Sequence, residues 1–159
     1  MREAIRRLSS EGLVTVETHR DVCVSAMNSD EARRLFEVRL SLDPTAAELA
    51  ATRRTDADIA AMQTAVRSLL PVTRQWGEEA LTGHRVFHQT LYRASHNHVL
   101  IRLLDDLWGK SDRYRRLGLE LPPGDEPRTR HLDEHHQLVE LTRQGDSSDA
   151  AGNSILMRT

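Results

Sequence analysis

The chain has 159 residues, with 22 Lys plus Arg against 24 Asp plus Glu and a formal charge of −2. One substantial core and a small appendage fit that length. The balanced charge excludes a globally basic nucleic-acid binder, so any contact with DNA has to be local. Cys23 is the only cysteine, which excludes an internal disulfide framework and fits a reducing compartment. No apolar run approaches bilayer length and the first residues do not read as a signal peptide, so a cytoplasmic protein with no membrane partner is expected. Lys110 is the lone lysine; the preference for arginine reads as genomic base composition rather than function.

Residues 2 to 10 suit a helix with two faces. Ile5 and Leu8 are three apart and turn toward one side, while Arg2, Arg6 and Arg7 fall largely on the other. Gly12 is placed to end that helix, because glycine takes the left-handed C-terminal conformation without steric cost. The β-prone runs 13–16 and 22–24 then flank the polar turn 17–21, which reads as a hairpin. Helix followed at once by hairpin is the order found in the second half of a winged helix-turn-helix. On that reading Arg2, Arg6 and Arg7, with His19 and Arg20 in the turn, are the candidate DNA contacts. The plainer alternative is a surface helix whose arginines are simply solvated.

From residue 28 the pattern is helical throughout. Asn28, Ser29 and Asp30 offer N-caps for a helix carrying Leu35, Phe36, Val38, Leu40 and Leu42, with Pro44 expected to kink or restart it before the alanines of 46–51. Further helices are expected from Asp56 to Leu70 before Pro71, from about Thr73 to Ala94, from Asn97 to near Gly118, and from about Thr129 to Gln144. The stretch 121–127, with three prolines and a glycine, reads as a loop. A turn at 145–149 precedes a last short helix from Ala150. The fold class is therefore mainly α: a partial winged helix-turn-helix of one helix plus β-hairpin over residues 1–27, then an antiparallel all-α helical bundle over 28–159.

The histidines carry the clearest chemical signal. His84 and His88 are four apart, as are His131 and His135, so each pair projects from one helical face at a spacing suited to a metal ion. Two facing helices would present up to four imidazoles, a donor set suited to zinc, nickel, copper or iron. Partly exposed or carboxylate-bonded histidines are the bland alternative. A hydrolytic metal centre ranks last, since the His-Glu-x-x-His spacing and an adjacent general base are missing; the chain does not read as an enzyme.

The opening run 2–14, the helix Leu35-Phe36-Glu37-Val38-Arg39-Leu40, the stretch 87–97 from Phe87-His88 to His96-Asn97, and Glu134-His135 followed by Gly145-Asp146 together resemble the FadR-type branch of the GntR family of bacterial transcription regulators. The resemblance implies a winged helix-turn-helix joined to an all-helical FCD domain, which takes a small carboxylate effector and often a metal, in a homodimer on palindromic operator DNA. Family metal sites use an aspartate four residues before the histidine of the Phe-His motif, that histidine, a histidine after glutamate, and a last histidine near the C-terminus. Transferred by position, these are His84 in place of aspartate, His88, His135, and Met157 in place of histidine. A thioether is a poor zinc ligand, so the site would be three-coordinate with an open position, altered, or lost.

For the carboxylate, Arg39 and either Arg102 or Arg113 are candidate partners, because a guanidinium fork can hold a carboxylate in two places. Phe87, Tyr92 and Trp108 are expected in the core or the pocket wall. Family members carry two more helices before the position of Arg2 and usually valine at Met1, which points to a misplaced start codon or a truncated gene. Asp21 stands where the family usually has a wing glycine. The resemblance thus implies a metabolite-responsive regulator; the alternative is a DNA-incompetent effector-binding or dimerisation module.

Overall fold

The computed structural model describes residues 2–10, 14–16, 22–70, 77–120 and 130–156. The helix α1 (Arg2–Ser10) leads into strands β1 (Val14–Val16) and β2 (Val22–Val24), which pair antiparallel with Val14 opposite Val24, Thr15 opposite Cys23 and Val16 opposite Val22. In α1 Ile5 is half-buried and Arg6 exposed, but Leu8, expected on the same face as Ile5, is exposed as well. The side chains of Arg2 and Arg7, and all of Gly12, His19, Arg20 and Asp21, lie outside the described residues.

The long helix α2 (Ser29–Arg53) starts on Asn28, whose side chain accepts from the Asp30 amide at 2.8 Å. It runs on through Pro44 as one helix, so the chain does not restart there. A proline inside a helix removes one backbone donor and crowds the preceding turn. Packing offsets that cost: the next turns present Ala46, Ala47, Ala50 and Ala51, all fully buried, and such small side chains let neighbouring helices approach closely. Helix α3 (Asp56–Arg67) opens with a reciprocal capping box between Thr55 and Asp58.

Helices α4 (Gly77–Ala94) and α5 (His98–Glu120) form an antiparallel pair. Their tight turn holds His96 at φ 49, steadied by a 2.9 Å contact between its Nε2 and Asp58 Oδ2. Helix α6 (Arg130–Gln144) ends at Gly145, whose φ of 81 allows the Gly145 and Asp146 amides to donate back to the Leu141 carbonyl. The last helix, α7, spans Ser147–Leu156 and so begins three residues before the expected start. The reason is that Asp146 caps it, accepting from the Asp149 amide at 3.1 Å, which leaves Asp149 in the first turn where a negative charge suits the helix dipole.

Helix α2 packs against α4, α5, α6 and α7, while α3 closes on α4 and α6. Their common core holds Met62, Phe87, Leu91, Tyr92, Leu104, Trp108 and Leu138, each with no exposed surface. Strands occur only at 14–16 and 22–24 among the described residues. The expected helix start near Thr73, the loop at 121–127 and Met157 fall outside them. No described helix is long and apolar enough to cross a membrane.

Candidate metal centre

Two consecutive turns of α4 carry His84 and His88, and α6 brings His135 across to them. One ring nitrogen from each of the three lies within 4.8 Å of the others. Ring centroids are 4.6 Å apart for His84 and His88, 4.7 Å for His84 and His135, and 5.5 Å for His88 and His135. Phe87 and Trp108 wall the cluster, with the Phe87 ring 4.8 Å from His135 and the Trp108 ring 5.2 Å from His88. His131, on the same helix as His135, has a side chain outside the described residues.

Burial comes first among the causes that hold His84 and His88 well below the usual histidine range; neighbouring imidazoles and the cations Arg39 and Arg115 add to it. His84 keeps some exposed surface, yet protein atoms surround its ring closely enough for desolvation to dominate. Both rings are therefore neutral at pH 7, the protonation state that a metal ligand requires. His88 has both ring nitrogens buried without a hydrogen-bond partner. Leaving a polar group in that condition costs about 1–3 kcal/mol, and a metal on one nitrogen would lower the cost. Nitrogens sharing a tetrahedral ion, with bonds of about 2.0–2.1 Å, stand roughly 3.4 Å apart. Small ring rotations close a 4.8 Å set to that separation, so the residues fit a metal.

Beside the histidines lies a polar network centred on Trp108 of α5. The guanidinium carbons of Arg39 and Arg115 stand 4.2 Å and 4.7 Å from its ring centroid. Its indole N–H donates to the Tyr92 hydroxyl at 2.8 Å, and that hydroxyl donates to Asp43 Oδ1 at 2.8 Å. Asp43 Oδ2 accepts from Arg39 Nη2 at 3.0 Å. Burial, and then the Asp43 charge, raise the Tyr92 phenol far above its ordinary value, so it remains a donor. Arg115 Nη2 meets His84 Nδ1 at 2.9 Å, and Arg85 bonds Asp112 at 2.9 Å alongside.

The sequence-derived candidates separate clearly in space. His84, His88 and His135 come together, and Arg39 lies buried close by. Arg102 is exposed on α5 and is not brought to the cluster. Arg113 is also turned away: it donates to the Ser25 carbonyl at 2.6 Å and ties α5 to the segment after the hairpin. Sequence reasoning passed over Arg115, although a signal existed. Leu104, Trp108, Ser111 and Arg115 follow one another at steps of four, three and four, a single helical face, whereas Arg113 is five residues beyond Trp108 and points elsewhere.

The family model of the FCD domain matches residues 31–154. The chain is 27% identical over 163 aligned positions to the HTH-type transcriptional repressor GlaR of Escherichia coli K12, covering 99% of this chain and 73% of that repressor. Its fold superposes on E. coli McbR/YncC with a TM-score of 0.83 at 21% identity, over 99% of this chain and 78% of the other. It superposes on a GntR family transcriptional regulator from Pseudomonas syringae pv. tomato with a TM-score of 0.62 at 25% identity, over 98% and 64%.

Proposed function

Because the chain belongs to the FCD-domain GntR family of transcription regulators, we propose that it couples a small carboxylate and a divalent metal, bound in its helical body, to the affinity of a dimer for operator DNA. The observation that carries this reading is the convergence of three imidazoles from α4 and α6 beside the buried Arg39. His84, His88 and His135 are the metal ligands, for zinc or nickel. The ion would supply a Lewis-acidic position for a carboxylate oxygen. Arg39 supplies a guanidinium donor for the same anion. Arg102, exposed on α5, and Arg113, bonded to the Ser25 carbonyl, are the weaker candidates for that anion.

The output end comprises residues 1–27, with Arg2, Arg6 and Arg7 on α1 and His19 and Arg20 of the turn as DNA contacts; the match over 31–154 supports a boundary near residue 28. An effector that binds one arrangement of the dimer better than another changes operator affinity by that difference. Calorimetric titration of EDTA-treated protein with zinc tests the site: His88→Ala with His135→Ala abolishes binding, and unchanged binding would remove the assignment. A gel shift at low salt tests the output. Retention of operator DNA supports regulation by this chain, and its absence at low salt excludes it, because phosphate contacts are strongest there.

A further inference from the structure

The contact between Arg115 and His84 spans α4 and α5 at 2.9 Å, from guanidinium Nη2 to imidazole Nδ1. An arginine can only donate. Nδ1 is therefore the acceptor, and its lone pair is the single lone pair that a neutral imidazole has in the ring plane; the proton sits on Nε2. A metal requires that same electron pair. Binding at Nδ1 displaces the guanidinium directly. Binding at Nε2 moves the proton to Nδ1, and two N–H groups then face each other. Either way, coordination by His84 and its bond to Arg115 exclude one another.

The alternative place for Arg115 is already built. Asp112 Oδ1 lies 3.8 Å from Arg115 Nη1, is buried and accepts no hydrogen bond, while Oδ2 of the same carboxylate is held by Arg85. Arg115 thus stands between two acceptors, a neutral ring on α4 and a carboxylate one turn before it on α5.

We infer that Arg115 is a latch on the metal site: in the metal-free protein it holds His84 out of the ligand set, and metal loading transfers the guanidinium to Asp112. The inference rests on the proposed metal site and adds a regulator to it. A two-state side chain of this kind makes zinc affinity depend on the α4–α5 arrangement, because anything that favours the Asp112 position favours the ion.

The test is calorimetric titration of the full, EDTA-treated chain with zinc alone, in a double-mutant cycle of Arg115→Met and His84→Ala. A charged hydrogen bond is released, so Arg115→Met should tighten zinc binding by on the order of tenfold in the parent protein. In the His84→Ala background the same substitution should have little effect. An equal gain in both backgrounds would reduce Arg115 to long-range repulsion of the ion and overturn the latch, as would no gain in either. Nitrogen-15 NMR of the histidine rings needs no variant: the metal-free protein should show His84 protonated at Nε2, and a proton on Nδ1 overturns the inference. Zinc binding that is lost in His88→Ala but indifferent to Arg115 defeats the latch alone, whereas failure of zinc to bind parent and Arg115→Met alike defeats the metal site with it.

Discussion

The helix and hairpin of residues 2–24 and the helical body after them use apolar side chains differently. In the body, Phe87, Leu91, Tyr92, Leu104 and Trp108 are fully enclosed by one another and by α2 and α6. In the first region Leu8, Val16 and Val22 all remain exposed, and none of its described residues joins the core. Amphipathic pattern is present in both, but only the body supplies enough opposing faces to bury it. Substitutions should therefore separate the two regions by size of effect, and the interior of the body should respond through its polar network as well as its packing.

The largest expected effect is that of Trp108→Ala, about 3–5 kcal/mol by urea unfolding, because it opens a cavity and removes the surface on which Arg39 and Arg115 stack. A loss near that of an exposed site would contradict the enclosed network. Tyr92→Phe is smaller, about 1–3 kcal/mol in the same assay: it leaves the Trp108 N–H buried without its acceptor and takes one donor from Asp43.

Acid should also distinguish the body. Burial lowers the folded-state pKa of His88 below its ordinary 6.5, so the folded protein binds fewer protons than the unfolded chain at acid pH. Stability is then full above that value and falls as pH drops below it, by up to about 1.4 kcal/mol per pH unit for this one residue. Melting temperatures of metal-free protein across this range should fall toward acid more steeply for the parent than for His88→Gln; parallel slopes would refute the buried neutral ring. At the small end, Val16→Thr on the exposed strand should change stability by within about 0.5 kcal/mol.

Much of the body was legible in the sequence because its signals are local. Apolar periodicity placed the helices, and Asn28 and Gly145 stand at helix ends as their backbone chemistry predicts. Pro44 does not restart the helix because, although its local cost is real, the alanine-lined contacts that outweigh it come from α2's neighbours in space. The last helix began early because two acidic residues could cap it, and backbone geometry selected Asp146.

The site divides along the same line. By itself the sequence determined that His84 and His88 share a helical face, since four-residue spacing is a property of one helix. It also carried the family motifs around Phe87-His88 and Glu134-His135. Only the tertiary structure decided that His135 closes on that pair from α6, that Arg39 is buried beside Trp108, and that Arg115 rather than Arg102 or Arg113 reaches a histidine. The physical reason is that helical period fixes the direction of a side chain relative to its own axis, whereas the rotation of each axis against its neighbours comes from packing the whole core.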